Sequence, residues 1–411
     1  MKNILIISHN DHAFLRSEIL RASEQFEEVV VLAPLSPCLV DELEKKGNIH
    51  IESFKRSGLK FAALPSARFC LDREVIEELT KTIKAGLFSF RYIKELLFYL
   101  AFRSYVTKTA KKYEVGKNQR EWVILSMWYS ADAYATYKLG QLYPGATRIT
   151  LAHSYEVDPV KSPFIHCLFR DKYHNSFDYI SFISAQVFES FKHNVADAMG
   201  LSLSNVGIDH LGIDRLATES ECLKGNEAFR IVSCSHIVPV KRLDLLFDAL
   251  ETYASYPINW THIGGGSCYE SLKKMTELRN NQYLSVDLRG PMENHEIHEL
   301  YATEWFDVFV NVSSSEGIPV SIMEALAYGL PIVATDVGGN KEIVNKRFGL
   351  LLTSNPEALE IWNAIDQIHS WQRERVAVAR TSAKTFFDSN YSSKSVRSSF
   401  YIKVKKGNFS R

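Results

Sequence analysis

Short apolar runs alternate with amphipathic stretches along most of this chain. Five of these runs lie in the first half, at 3–8, 29–33, 122–127, 148–153 and 179–184, and five in the second, at 229–235, 259–264, 284–290, 306–313 and 331–335. Short, almost wholly apolar strands that are separated by helices are typical of parallel sheets covered on both faces. The two series therefore predict two doubly wound α/β domains.

The boundaries of these domains follow from a change in composition. The stretch 208–228 is polar and has no clear period, which predicts a linker. We expect a Rossmann-like N-terminal domain at 1–207 and a second Rossmann-like domain at 229–385. For the tail, 386–411, we expect a helix that packs back on the N-terminal domain. Because ligands of such sheets bind beyond the carboxyl ends of the strands, the expected site is a cleft between the domains.

Composition and charge narrow the class of protein. The 411 residues are 46% hydrophobic and 23% charged, and the formal net charge is zero, as in a globular protein with no global attraction for nucleic acid. The scattered cysteines lack metal-binding spacing, which is typical of free thiols in a reducing compartment. The N-terminus predicts a strand and not a signal peptide. We expect a cytoplasmic protein.

The segment 81–112 combines basic and aromatic residues. Charges at Arg91, Lys94, Glu95 and Arg103 interrupt its apolar run, so it does not predict a membrane-spanning helix. One interpretation is a long amphipathic helix that packs on the N-terminal sheet. The other is a surface that contacts an anionic membrane, at the inner face of the cytoplasmic membrane.

Two glutamates stand in an otherwise apolar stretch, "NVSSSEGIPVSIMEALAYGLPIVATDVGG". Glu316 and Glu324 have seven residues between them and no cation within five residues. A buried carboxylate without a partner is costly. Pro319 predicts the first turn of a helix that Gly329 ends, and the N-terminus of that helix attracts phosphate. A sugar nucleotide fits such a site, although both glutamates could instead cap backbone or bind a distant arginine.

Two further loops follow predicted strands. Lys241 and Arg242 stand at the start of a predicted amphipathic helix, where cations are unfavourable. Their position indicates either that they bind a phosphate together with the helix N–H groups or that they are a solvated surface pair. The glycines of "IGGGSCYE" permit close approach of a ligand, but Tyr269 occupies the position that a dinucleotide fingerprint gives to glycine.

These residues together resemble a known family. "SEGIPVSIMEALAYGLPIVATDVGGNKEIV" is similar to the E-x7-E signature of the retaining glycosyltransferases of family 4, and "VSCSHIVPVKRLDLLFDAL", "HIGGGS", "DLRGPMENHEIHELYATEWFDVFVNVS" and "HLGID" follow that family's order and spacing. "ISHNDHAFLRSEILRASEQFEEVVVLAP" and "LAHSYEVD" resemble the branch that builds bacterial surface polysaccharides. The resemblance implies a GT-B fold, with the donor bound by the C-terminal domain and the acceptor by the N-terminal one.

The resemblance also implies roles for individual residues. Glu324 would bind the ribose, Glu316 the donor hexose, and Lys241 the leaving diphosphate, while His153 would face the sugar near the anomeric carbon. A strand-end histidine such as His153 is equally typical of a hydrogen-bonded structural residue. The remaining implied donor-binding residues are Arg242, His236, Gly265, Gly266, Gly317, Ile318, Pro319, Val320 and Ser321. The chain departs from the family at His236, where many members have arginine, and in residues 8–14, which contain no glycine.

The implied activity is transfer of a hexose or N-acetylhexosamine, with retention, from a UDP-linked or other nucleotide sugar to a glycan or polyprenyl-linked oligosaccharide. No metal and no cofactor are expected, because the chain has no Asp-x-Asp and the spacing of His295 and His298 does not fit a zinc motif. The segment that holds both histidines predicts a solvated helix face. A sugar-nucleotide epimerase and an inactive nucleotide-sugar-binding subunit are the alternatives.

Overall fold

The structure, a computed structural model, forms two compact units. One consists of Met1–Gly212 with Val396–Arg411, and the other of Ile213–Ser395. Part of the predicted linker, residues 219–227, lies outside the described residues. The structure describes residues 2–10, 14–55, 72–86, 88–115, 122–157, 168–218, 228–279 and 281–409.

The first unit contains a parallel sheet in which seven described strands have the order β3-β2-β1-β4-β5-β6-β7. The strands are β1 (Asn3–Ile7), β2 (Glu28–Leu32), β3 (Ile49–Glu52), β4 (Trp122–Ser126), β5 (Thr147–Ala152), β6 (Tyr179–Phe182) and β7 (Val206–Ile208). The helices are α1 (Leu15–Ser23), α2 (Pro37–Glu44), α3 (Arg73–Lys84), α4 (Phe90–Lys112), α5 (Ala131–Leu142), α6 (Ser154–Val157), α7 (Arg170–Tyr173), α8 (Ala185–Phe191) and α9 (Asp197–Met199).

In the second unit, six described strands form a parallel sheet in the order β10-β9-β8-β11-β12-β13. The strands are β8 (Phe229–Cys234), β9 (Ile258–Ile263), β10 (Leu284–Gly290), β11 (Val308–Asn311), β12 (Ile332–Thr335) and β13 (Gly349–Leu352). The helices are α10 (Leu243–Tyr253), α11 (Tyr269–Leu278), α12 (Asn294–Thr303), α13 (Val320–Ala327), α14 (Asn340–Ile343), α15 (Ala358–His369), α16 (Arg373–Asn390) and α17 (Ser393–Lys406), whose second part belongs to the first unit.

All ten strands predicted from apolar runs are present, and the prediction of two doubly wound parallel sheets is confirmed. Three strands, β3, β7 and β13, were not predicted. Each lies at an edge of its sheet and has one neighbouring strand. An edge strand needs less apolar surface than a central strand, so its sequence carries a weaker signal.

Helix α17 is tied to the first unit by a fully buried ion pair. The Arg397 Nε atom lies 2.5 Å from Glu18 Oε1, and neither side chain is exposed to solvent. The Tyr401 hydroxyl donates a hydrogen bond of 2.6 Å to the same carboxylate. Because removal of one partner of a buried pair leaves an uncompensated charge, this contact holds the C-terminal helix against α1.

The segment 81–112 is not a single helix, which corrects one sequence-based interpretation. Helix α3 ends at Lys84, and α4 begins after Ser89, whose side chain accepts a hydrogen bond from the Tyr92 N–H group. One side of α4 is buried, in part against α5. None of the helices among the described residues is long and apolar enough to cross a bilayer.

Candidate active site

The loop between β11 and α13 carries Glu316, Glu324 lies in the helix that follows, and a second loop fixes the shape of the first. The Gly339 N–H group donates a hydrogen bond of 2.6 Å to the Gly317 carbonyl oxygen. Gly338 has a φ of +57°, and a Cβ atom at this position would lie 2.2 Å from the Glu316 carbonyl oxygen. Only glycine fits there, so the turn after β12 supports the backbone that presents Glu316.

Glu316 is nearly buried, and it forms an ion pair with a lysine that follows a different strand. The Lys241 Nζ atom lies 2.6 Å from Glu316 Oε1, and the Asn311 side-chain amide donates to the same oxygen at 3.1 Å. The lysine follows β8, whereas the glutamate follows β11, and these strands are neighbours in the sheet. Parallel strands therefore bring together two predicted site residues that are far apart in the sequence.

Glu324 lies in α13 and is anchored by residues of α12. Its Oε1 atom accepts a hydrogen bond of 2.5 Å from the Asn294 side-chain amide and lies 3.8 Å from His298 Nε2. The Leu216 N–H group donates to His298 Nδ1, so the ring proton is on Nε2, which faces the carboxylate.

The position of His298 corrects the sequence analysis. His295 is exposed, as predicted for a solvated helix face, but His298 is only 1% exposed. The prediction was wrong for His298 because α12 turns this side chain towards α13. Asn294 and His298 were missed as site residues, since nothing in the sequence places α12 beside Glu324.

Arg242 holds loops of the second unit together. Its guanidinium donates to the carbonyl oxygens of Val312, Ser313 and Ser354 at 2.7, 3.0 and 3.1 Å, and to Asn355 Oδ1 at 2.9 Å. Most of the donors of one guanidinium are thus engaged with protein. This arrangement favours a supporting role, with Lys241 as the residue that can contact a phosphate.

His236 and the glycines after β9 lie in two loops that pack on each other. His236 is exposed. A Cβ atom on Gly264 would lie 1.9 Å from the Ser235 carbonyl oxygen, and one on Gly266 would lie 2.4 Å from that of Ile237. Gly265 accepts a hydrogen bond of 2.8 Å from the Ile237 N–H group. The glycines are therefore required for contact between the loops, whether or not they also approach a ligand.

The remaining predicted residues surround the N-terminus of α13. Pro319 precedes the first helical residue, and Ile318 and Pro319 are buried, while Gly317, Val320 and Ser321 are partly exposed. The first N–H groups of a helix have no carbonyl partner within the helix. The N–H groups of Val320 and Ser321 can therefore donate to an anion.

His153 lies at the carboxyl end of β5 in the first unit and is 6% exposed. Its ring stacks on those of Phe14 and Trp128, with centroid distances of 5.4 and 4.3 Å. The Nε2 atom lies 2.8 Å from the Met127 carbonyl oxygen, so it carries the proton and Nδ1 is an acceptor. Burial lowers the pKa of His153 to about 4, which keeps the ring neutral.

A second buried titratable group lies beside His153. Glu156 Oε2 accepts a hydrogen bond of 3.0 Å from the His153 N–H group. Burial raises the pKa of Glu156 to about 8, despite the nearby charge of Arg170. At neutral pH the His153 imidazole and the Glu156 carboxyl group are thus both uncharged, so these two groups offer hydrogen bonds without charge.

Comparison with known proteins finds a family match over part of the chain and a fold match over nearly all of it. The model of the family "Glycosyl transferases group 1" matches residues 214–385. The O-antigen biosynthesis glycosyltransferase WbnH of Escherichia coli is 27% identical over 198 residues, which are 47% of this chain and 54% of that protein. The chain therefore spans about half the length of the curated relatives that it matches first.

Two solved structures are similar over nearly the whole chain. HepE of Anabaena, solved with UDP and glucose, has a TM-score of 0.68 at 15% identity and covers 99% of this chain and 100% of its own. Sucrose-phosphate synthase of Thermosynechococcus elongatus has the same TM-score at 13% identity, with the same coverage. These likenesses confirm the predicted GT-B fold of two Rossmann-like domains.

We predict that Glu156 makes the stability of the first unit depend on pH. The folded chain holds the proton of this carboxyl group up to a pKa of about 8, whereas the unfolded chain releases it near the ordinary value of 4.5. Stability is therefore lost as the pH rises through this range, by up to about 1.4 kcal/mol per pH unit. Thermal unfolding of the Glu156→Gln variant should lack this loss.

The matched control for this variant is Glu189→Gln, because the side chain of Glu189 is 54% exposed. Its melting temperature should follow that of the parent protein at every pH. Parallel pH curves for the parent and Glu156→Gln would show that Glu156 is ionised in the folded protein.

Proposed function

We propose that this chain, whose residues 214–385 match the model of the group 1 glycosyl transferases, transfers a hexose or N-acetylhexosamine from a UDP-linked sugar to a glycan or lipid-linked oligosaccharide. The observation that carries the proposal is the placement of Lys241, Glu316 and Glu324 around the N-terminus of α13. HepE, solved with UDP and glucose, supports the choice of donor. The similarity to WbnH, a glycosyltransferase of O-antigen biosynthesis, supports a role in surface-polysaccharide synthesis.

The second unit would hold the donor through complementary charges. Glu324, kept in place by Asn294, would accept hydrogen bonds from the ribose diol. A carboxylate offers about four acceptor positions, so Glu316 can bind hydroxyls of the hexose while it keeps Lys241. Lys241 and the N–H groups at the start of α13 would stabilise the leaving diphosphate without a metal ion.

The first unit would supply the group that acts on the sugar. His153 is neutral, and its Nδ1 atom can accept a hydrogen bond from a hydroxyl of the donor sugar. We assign retention to same-face attack, in which the acceptor oxygen bonds to the anomeric carbon as the bond to the diphosphate breaks. The proton of the acceptor hydroxyl passes to the departing phosphate oxygen, which balances the reaction without a covalent intermediate.

The role of Glu324 predicts a loss of nucleotide affinity. Replacement by alanine removes the charged acceptor of the ribose hydroxyls, so binding of UDP should weaken by roughly 1.5–3 kcal/mol, about 10- to 150-fold. Calorimetric titration with UDP measures this change. The exposed Glu299 on α12 provides the control, and Glu299→Ala should bind UDP as the parent does. Unchanged affinity in folded Glu324→Ala would exclude the ribose contact.

The role of His153 predicts a different result, which separates an enzyme from a binding protein. His153→Ala should lower turnover by roughly 10²–10³. Its affinity for UDP should stay near that of the parent, because the nucleotide belongs to the other unit. The measurement is product formation, detected by mass analysis, from UDP-glucose, UDP-galactose and UDP-N-acetylglucosamine with polyprenyl-linked and glycan acceptors. The reactions are run in the presence of EDTA.

Each alternative gives a distinct outcome in this assay. Full transfer by His153→Ala would make the histidine structural, and loss of parent activity in EDTA with rescue by magnesium would contradict the metal-independent step. Conversion of the sugar nucleotide without an acceptor would indicate an epimerase. Binding of UDP sugars by a parent protein that forms no product would indicate an inactive subunit.

We also propose that the hairpin of α3 and α4 contacts an anionic membrane, which would bring the enzyme to a lipid-linked acceptor. Large apolar side chains are exposed around its tip, with Phe90 84% and Ile83 59% exposed. Lys84 and Lys94 are exposed beside them. Apolar side chains next to cations match the chemistry of a membrane interface with acidic lipids.

This membrane contact predicts salt-sensitive binding to vesicles of phosphatidylglycerol. Each cation near the surface contributes about 1 kcal/mol, so the double variant Lys84→Glu/Lys94→Glu should bind roughly tenfold or more weakly in a sedimentation assay. Lys45→Glu/Lys46→Glu changes the same charge on the exposed end of α2 and should bind as the parent does. Equal recovery of the parent with phosphatidylcholine vesicles would contradict the proposal.

A further inference from the structure

Residues 215–217, which lie near the start of the second unit and which we call the entry segment, are fastened to the C-terminal end of α13. The Arg215 Nε–H group donates a hydrogen bond of 2.8 Å to the carbonyl oxygen of Ala327, the last residue of that helix. The Ala217 N–H group donates at 3.0 Å to the hydroxyl of Tyr328, which follows directly. The last carbonyl groups of a helix have no partner within it, so the entry segment satisfies one of them.

A buried histidine joins the entry segment to Glu324. The Leu216 N–H group donates to His298 Nδ1 at 3.3 Å, and the Tyr328 hydroxyl lies 3.0 Å from the same nitrogen. On the other side of the ring, Nε2 carries the proton and lies 3.8 Å from Glu324 Oε1. This distance is too long for a direct hydrogen bond, but a small shift of the carboxylate would close it. The side chains of His298 and Glu324 are only 1% and 5% exposed.

The contacts of Glu324 divide its two oxygens between protein and ligand. Asn294 donates to Oε1 at 2.5 Å, and His298 faces the same oxygen. Oε2 can therefore turn to the ribose diol that we assign to this residue. An apolar side chain at position 298 would fill the same space at a lower desolvation cost, but it would hold neither the carboxylate nor the Leu216 N–H group.

Helix α13 is a short body that connects the donor with the entry segment. It has eight residues and is roughly 12 Å long. The N–H groups at its start would bind the diphosphate, Glu324 in its middle would bind the ribose, and Ala327 at its end holds the entry segment. The helix and His298 thus give two connections between the same donor site and the same three residues.

We propose that His298 is a positioning residue that couples donor binding at Glu324 to the order of the entry segment. The inference rests on the proposed transferase function and adds to it a means by which nucleotide and entry segment stabilise one another. Ribose hydroxyls on Oε2 fix the carboxylate for His298 Nε2, and the fixed ring holds the Leu216 N–H group. Coupling of this kind is reciprocal, so loosening the entry segment weakens nucleotide binding.

A purely structural entry segment would behave differently. Its amide hydrogens would exchange at the same rate with and without nucleotide, and its loosening would change stability while nucleotide affinity stayed the same. The two readings therefore differ in a measurable coupling, which is the evidence that any route between two sites requires.

Three variants break the route at different points. His298→Asn keeps an acceptor near Nδ1 for the entry segment but removes the donor at Nε2, whereas His298→Gln places a donor near Nε2 and loses the acceptor. Tyr328→Phe removes the hydroxyl that contacts both His298 and Ala217 but keeps the buried ring. The matched controls are His295→Asn, on the exposed face of α12, and Tyr253→Phe, because Tyr253 is 36% exposed.

Calorimetric titration with UDP measures the affinity, and hydrogen exchange of peptides that cover the entry segment measures its order with and without saturating UDP. In the parent, UDP should slow exchange of the entry segment several-fold or more. His298→Asn and Tyr328→Phe should each lose this slowing and bind UDP roughly three- to tenfold more weakly, the effect of one lost hydrogen bond. His298→Gln should bind UDP more tightly than His298→Asn, because it keeps the donor to Glu324. Both controls should match the parent.

The double variant His298→Asn/Tyr328→Phe separates one shared route from two independent losses. Because both changes interrupt the same route, the double variant should bind UDP about as weakly as the weaker of the two single variants. Independent losses would instead multiply.

The outcomes also separate this inference from the proposed function. If the parent binds UDP but the folded variants bind it equally well, if their losses multiply, or if UDP leaves exchange of the entry segment unchanged, the inference is overturned and the donor site stands. If the parent binds neither UDP nor a UDP sugar, the proposed donor function is wrong and the inference falls with it. If Glu324→Ala binds UDP as the parent does while His298→Asn does not, the route through Glu324 is wrong.

Discussion

The ion pair between Glu316 and Lys241 is the interaction on which the candidate site depends. A carboxylate in the apolar surroundings of α13 is costly without a cation, and the Lys241 Nζ atom lies 2.6 Å away. To make this contact, the loop after β8 must lie on the loop after β11. Arg242, which also follows β8, donates to the carbonyl oxygens of Val312 and Ser313 after β11 and so reinforces the contact. The pairing of this carboxylate with Lys241 therefore brings together the two loops at which we place the donor.

The two units provide different electrostatic environments. In the second unit, charged groups surround the start of a helix, which suits a ligand that bears a diphosphate. In the first unit, burial lowers the pKa of His153 to about 4 and raises that of Glu156 to about 8, so these groups are neutral near pH 7. Neutral hydrogen-bonding groups suit the hydroxyls of sugars. This difference matches the proposed assignment of the diphosphate to the second unit and of an uncharged sugar contact, His153, to the first.

The sequence predicted the central strands, the parallel sheets and the helix after Pro319, because continuous apolar runs and a proline–glycine pair are local signals. It also singled out Glu316 and Glu324 as candidate site residues. It could not predict that Lys241 pairs with Glu316 or that His298 is buried against Glu324, since both contacts join elements that are distant in sequence. The contact of Leu216 with His298 spans 82 positions and gives no local signal either. Tertiary pairing of polar side chains is therefore where the structure adds most.

The most direct test of the account is a crystal structure of the protein with bound UDP. The account predicts that the ribose hydroxyls lie within hydrogen-bonding distance of the Glu324 carboxylate, with the diphosphate on Lys241 and on the N–H groups of Val320 and Ser321. In that complex Asn294 should still contact Glu324, and the first unit should make no contact with the uracil base. UDP bound with its ribose away from Glu324, or with its diphosphate away from Lys241, would contradict the central claim.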